Sequence, residues 1–279
     1  MRILCYVNHF FGQNTFFEGK SSLPPGTNKL DLEKRAVKRK EHVETVINQL
    51  KEIEGADVKI CGIKDKSLVP IDIEFNHIKD RPLCLIYESL NHMAKHVDQY
   101  DYFINIEDDV LLPKETFERI FEFDKQFLVN EIFLPNRLEE SHTGDLYCVD
   151  LKAIPGWTHQ QKKVNDRAIK VAINPHSAIL ILSRQKLHYA LKFIDSNFRE
   201  PFLYNELDSA FAYFHSPFSL YRSVDVKFHY VKHLDNWVYS EGERYYKSVW
   251  DQRIRSLRIV DFVPPIVIRL IQYLKRKTE

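Results

Sequence analysis

In "YFINIEDDVLLP", residues 102–113, three acids, Glu107, Asp108 and Asp109, end an apolar run and precede Pro113. Carboxylate oxygens are hard ligands that suit Mg²⁺ or Mn²⁺. Such ions usually take one or two carboxylates and complete their shell with water and substrate phosphate. The triplet therefore reads as a divalent-cation site. The competing explanation is a solvated turn in which Asp108 or Asp109 helps to cap the helix that begins near Pro113.

A cation site needs a frame, and the first half of the chain alternates strand-like and helix-like segments. "RILCYV" (2–7) reads as a strand bounded by Asn8 and His9. Residues 30–53 carry apolar side chains at helical spacing without glycine-driven or proline-driven breaks until Gly55. A second strand over 57–63, a helix over 82–97 opened by Pro82, and a strand over 100–106 follow; a helix over 113–127 and a strand over 130–135 continue the pattern. The segment 100–106 is too apolar to be exposed on either face. This order predicts an α/β fold with a mostly parallel central sheet flanked by helices. It puts the acids beyond the carboxyl end of a strand, where ligands gather in open α/β sheets. The second half is less regular, with a strand leading into a helix over 172–195, a helix over 204–214 and a late strand over 223–234. Two polar segments, 12–29 and 141–167, read as long loops of the kind that act as lids or binding loops.

With this frame, the chain resembles the GT-A type nucleotide-sugar glycosyltransferases, whose acidic signature, DxD or its EDD variant, follows a buried strand and holds a metal against the donor diphosphate. Glu107-Asp108-Asp109 matches the EDD form. The resemblance makes Asp109 the direct metal ligand and lets Glu107 and Asp108 contact ribose or bound water. It extends to "NELD", where Glu206 and Asp208 stand at a helix start, and to the late strand with His229 and His233 before an aromatic and basic segment. Either histidine completes the metal shell in this reading, Glu206 acts as general base, and Asp208 orients the acceptor or a nearby side chain. Both acids otherwise complement the helix dipole, and a histidine in a strand is otherwise a packed or surface residue. Asn8 and His9 occupy a region that contacts the nucleotide in the family, or else form a turn. Arg137 follows the strand over 130–135 and matches a diphosphate through its guanidinium fork, or else is solvated. The departures are Asn205 where an acid is common and Glu206 where aspartate is usual.

The resemblance implies a single domain over 1–250, with a Rossmann-like nucleotide-sugar-binding half at 1–137 and an acceptor half at 138–250. The implied reaction moves a sugar from a nucleotide-diphosphate donor to a glycan or lipid-linked glycan acceptor, with Mn²⁺ or Mg²⁺ as cofactor and inversion at the anomeric carbon, in surface polysaccharide synthesis. A sugar-nucleotide-forming nucleotidyltransferase is a second reading, set back by only two separated glycines in residues 8–20. A non-catalytic nucleotide-binding or scaffold protein is a third. A hydrophobic share of 44%, a charged share of 28% and a net charge of +1 exclude a disordered chain and give no global signal for nucleic acid. Cys5, Cys61, Cys84 and Cys148 form no CxxC, which argues against zinc or a disulfide framework. With no signal peptide and no membrane-spanning stretch read from the sequence, a cytoplasmic location is expected. The segment 251–279 mixes apolar residues with Arg269, Lys275, Arg276 and Lys277. It is expected to dock on an anionic membrane face, or otherwise to pack on the domain.

Overall fold

A computed structural model describes residues 1–11, 29–140, 144–148, 150, 157–201 and 206–234. Residues 12–28 of the loop expected over 12–29, Asn205, and the basic C-terminal segment 251–279 lie outside the described residues. In chain order the elements are β1 (Ile3–His9), α1 (Lys29–Lys51), β2 (Ala56–Gly62), β3 (Ile73–Glu74), α2 (Leu85–Ala94), β4 (Tyr102–Glu107), β5 (Val110–Leu111), α3 (Lys114–Gln126) and β6 (Glu131–Phe133). They continue with β7 (Asn136–Glu140), β8 (Leu146–Cys148), β9 (Trp157–Val164), β10 (Arg167–Ala172), β11 (Ile179–Ser183), α4 (Arg184–Leu191), α5 (Glu206–His215), β12 (Ser219–Ser223) and β13 (Tyr230–His233).

The main sheet has the order β11-β4-β1-β2-β3, parallel from β4 to β3, with β11 antiparallel on β4. Two four-stranded sheets, β6-β12-β10-β9 and β5-β13-β7-β8, each mix parallel and antiparallel pairs. The chain is thus α/β with mixed sheets, and the expected predominance of parallel pairing is confined to one part of one sheet.

The main sheet is apolar on both faces because its strands alternate side chains between two cores. From β1, Leu4 and Tyr6 enter one core with α2, α4 and α5, while Ile3, Cys5 and Val7 enter the other with α1 and α3. In β4, Phe103 goes to the first core and Tyr102, Ile104 and Ile106 to the second. Deleting one such side chain, as in Ile104→Ala, removes about 2–5 kcal/mol. The strand that ends in the acids is therefore held firmly from both sides.

A second layer also buries charge. Lys186 of α4 donates to Asp124 Oδ1 and to the Glu131 carbonyl. Tyr102 donates to Asp124 Oδ2 at 3.1 Å, and Lys162 Nζ reaches both oxygens of Glu131.

Two expectations are corrected. The stretch 141–167 is not all loop: β9 and β10 form a hairpin through Asn165 and Asp166, whose positive φ values of 48° and 61° make the tight turn. Half-exposed β9 carries too many polar residues to show a strand's apolar alternation. Of the late strand expected over 223–234, only Ser223, the end of β12, and the four residues of β13 are strand. Asp225 makes the break, its side chain accepting from the Lys227 N–H at 3.2 Å and its carbonyl from Phe228.

Candidate functional site

Glu107 is the last residue of β4, and Asp108 and Asp109 turn the chain into β5. β5 pairs with β13 so that Val110 lies opposite His233, and Leu234 N–H donates to the Asp109 carbonyl at 2.8 Å. This register brings a residue from late in the chain beside the triplet, with His233 Nε2 3.3 Å from Asp109 Oδ2. One ligand atom from each of Glu107, Asp109 and His233 lies within 4.8 Å of the others. Glu107 Oε1 and Asp109 Oδ1 are buried and have no hydrogen-bond partner. Buried carboxylate oxygens are normally satisfied. Two unpartnered oxygens beside an imidazole make a donor set that a divalent cation fits, and the nitrogen suits Mn²⁺ better than Mg²⁺.

His233 Nδ1 donates to Glu139 Oε1 at 2.6 Å, which leaves Nε2 to face Asp109. Burial disfavours the charged imidazole, but the Asp109 carboxylate and the hydrogen bonds to Asp109 and Glu139 push His233 up to about 9. Burial, reinforced by repulsion from Asp109, raises Glu107 to about 8. Burial acts the same way on Asp109, yet the Arg39 guanidinium and His233 hold it well below the usual carboxylate range. The two carboxylates thus repel one another, and Arg39 and His233 offset the charge of Asp109 more than that of Glu107.

Asp108 points differently. His9 Nε2 accepts the Leu68 N–H at 2.9 Å, so Nδ1 carries the proton and donates to Asp108 Oδ2. Gly62, paired with His9 in the sheet, permits this close packing, since a Cβ there would lie 2.9 Å from the His9 carbonyl. Asn8 is spent within the sheet: its Nδ2 donates to Asn105 Oδ1 at 2.7 Å and to the Ile106 carbonyl at 3.1 Å, while its Oδ1 is unpartnered. Both residues belong to β1 rather than to a turn after it.

Arg137 shares a face of β7 with Glu139, two residues on. Its guanidinium is 3.1 Å from Asp150 Oδ1, and its Nε is buried without a partner. Burial opposes its charge, but Asp150 and then Glu107 hold the guanidinium firmly protonated. Beneath it, fully buried Arg222 donates to the Pro135 carbonyl at 2.7 Å, to Asp150 at 3.1 Å and to the His176 carbonyl.

The structure parts the two acids of α5 and the two late histidines. Residues 206 and 208 sit about 200° apart around a helix. Glu206 turns to Arg81, 3.3 Å away, whereas Asp208 lies 3.4 Å from His176 Nε2 and acts electrostatically on both Glu107 and Arg137. Asp208, not Glu206, faces the cluster. His229 stacks on Phe133 with ring centroids 3.7 Å apart, donates Nε2–H to the Phe133 carbonyl at 3.1 Å and is pushed down to about 3 by burial. Four residues of extended chain span about 13 Å, so His229 and His233 do not share an ion, and His233 is the one beside Asp109.

Three participants escaped the sequence reading. Arg39 of α1 reaches Asp109 Oδ2 through one guanidinium nitrogen and Asp108 Oδ1 through the other, the latter at 3.0 Å. It lies on the helix stripe that buries Val43, Val46 and Leu50, and a cation on an apolar stripe is a readable signal. Glu139 could have been found from its strand spacing to Arg137. Asp150 carried no signal, because only the fold brings it under both arginines.

No protein-family model matches this chain, and no curated protein matches it. Among solved structures, one similar chain is A197 from STIV, at 12% identity and a TM-score of 0.33, covering 80% of this chain and 81% of that one. Another is a glycosyltransferase involved in the glycosylation of the major capsid of PBCV-1, at 11% identity and a TM-score of 0.30, covering 88% of this chain and all of that one. TM-scores this low carry nothing about chemistry, which rests on the cluster of Glu107, Asp109 and His233.

Proposed function

We propose that this chain is a metal-dependent glycosyltransferase that moves a sugar from a nucleoside diphosphate donor to an acceptor hydroxyl. The observation that carries the reading is the pair of unpartnered buried oxygens, Glu107 Oε1 and Asp109 Oδ1, beside His233 at the carboxyl end of β4. Asp109, Glu107 and His233 would hold Mn²⁺ or Mg²⁺, which supplies Lewis-acid neutralisation of the leaving diphosphate. Arg137 presents a guanidinium to phosphate oxygens from a position fixed by Asp150. His9 keeps Asp108 pinned through the proton on Nδ1, so the turn carrying Asp109 stays in place.

The acceptor proton passes to Asp208, whose carboxylate faces the cluster and which His176 holds from behind. As the acceptor oxygen bonds to the anomeric carbon, the bond from that carbon to the diphosphate oxygen breaks and its electron pair leaves with the diphosphate. A base opposite the leaving group gives single displacement with inversion, by the geometry that governs inverting glycosidases. The test is a panel of UDP-, GDP-, CMP- and dTDP-sugars assayed for binding and hydrolysis with Mn²⁺ and with excess EDTA. Donor turnover that EDTA leaves unchanged would overturn the reading. Product anomeric configuration, read by NMR from an α-linked donor, checks the Asp208 role, since an α-linked product means retention.

A further inference from the structure

Arg39 spans two carboxylates rather than one, with its fork divided between Asp108 and Asp109. Asp108 is also held by His9, whose proton sits on Nδ1, so the guanidinium is needed there less than at Asp109. At Asp109 it reaches Oδ2, the oxygen that also faces His233, while Oδ1 lies unpartnered on the same carboxylate. A divalent cation on Asp109 would therefore sit within a few ångströms of a guanidinium, and two like charges at that separation repel strongly in a buried site. A diphosphate removes the conflict. Its oxygens bridge to the cation and match the planar fork of arginine, which binds phosphate and carboxylate with the same bidentate geometry. Arg39 can make the exchange, because its side chain is 24% exposed while α1 is anchored independently by Val43, Val46 and Leu50.

Resting on the reading that this site takes a divalent cation and a diphosphate, we infer that Arg39 is a resident counter-ion that makes cation binding depend on diphosphate. In the chain alone Arg39 neutralises Asp109 and a bare cation binds weakly. When a diphosphate arrives with the cation, the guanidinium transfers from Asp109 to the phosphate oxygens, and cation and anion tighten one another's binding. Arg39 thereby serves as a positioning residue for the donor's leaving group.

Calorimetric titration of the full chain with MnCl₂ alone, and with MnCl₂ in the presence of inorganic pyrophosphate, tests this. Wild type should bind Mn²⁺ at least about tenfold more tightly when pyrophosphate is present, a coupling of about 1.4 kcal/mol. Arg39→Met keeps the aliphatic stem and removes the charge. It should bind Mn²⁺ alone at least about tenfold more tightly than wild type and lose most of the pyrophosphate effect. Arg39→Lys keeps the charge without the fork, so Mn²⁺ alone should bind as weakly as in wild type while the pyrophosphate effect shrinks; it carries the test should Arg39→Met not fold. If Arg39→Met binds Mn²⁺ no more tightly than wild type, the counter-ion role is lost, though the glycosyltransferase reading stands wherever Mn²⁺-dependent sugar transfer is seen. If the variants behave as expected but no sugar nucleotide is turned over, the counter-ion role stands and the glycosyltransferase reading falls. If neither wild type nor Arg39→Met binds Mn²⁺, both fall.

Discussion

At the mouth of β4, half-buried Glu107 and buried Asp109 and His233 hold two carboxylate oxygens that lack partners, whereas between α3, α4 and β6 buried Lys186 and Glu131 and half-buried Asp124 have none that lacks one. Both groups place charge in a low-dielectric interior, where each unmet polar atom costs free energy. The second group has met that cost internally: burial lowers Lys186, and Asp124 opposes the loss of its charge. In the first group, Glu107 is raised by burial and by Asp109, and its unpartnered oxygen faces the site. Burial of charge is common to both. What differs is satisfaction: the second group closes on itself, whereas the first leaves two carboxylate oxygens open.

The sharpest way to break this comparison is Asp109→Asn, which preserves shape and removes the charged ligand. It should abolish Mn²⁺ binding and sugar transfer while the thermal unfolding transition is retained, and excess EDTA should reproduce its activity loss. Transfer that persists in EDTA would make the acids structural groups of the turn rather than metal ligands. Asp208→Asn comes next. Transfer should fall by about 10²–10⁴-fold with Mn²⁺ affinity kept, the loss typical of a proton acceptor. Glu206→Gln, on the edge that meets Arg81, should change transfer by less than about tenfold. A loss from Glu206→Gln larger than that from Asp208→Asn would return the base to Glu206.

The satisfied group should respond in stability alone. Lys186→Met strips one partner from a buried pair and should cost about 3–5 kcal/mol by chemical denaturation. Mn²⁺ affinity, measured on the folded fraction, should not move; a parallel loss of metal binding would mean that the two groups are coupled. A subtler effect on the metal shell is expected at Glu139, whose carboxylate orients His233. Glu139→Gln should weaken Mn²⁺ by about 10–100-fold, as removal of a metal ligand's hydrogen-bond partner does. An unchanged affinity would remove His233 from the shell.

The strands and helices of the first half were legible because each carries its own signal. β4 is apolar on both faces and α1 repeats its stripe at helical spacing, so period and composition suffice. The second half hid its elements for local reasons. The β9–β10 hairpin is exposed and polar, and its Asn165-Asp166 turn was the only readable sign. The late strand was broken by a turn at Asp225 within an otherwise continuous run.

By itself the sequence determined that three carboxylates end a buried strand, because the apolar run and the triplet are contiguous and their placement follows from strand geometry. It also determined that Glu206 and Asp208 lie on opposite edges of one helix, because helical periodicity is local. Only the tertiary structure decided which of the two faces the acids, since that depends on how α5 is rotated against its neighbours. It alone chose His233 over His229, through the register of β13 on β5 and β7. It also brought Arg39, Glu139 and Asp150 to the site: helix and strand spacing could flag the first two, but which charges meet in a buried cluster is set by distance in space.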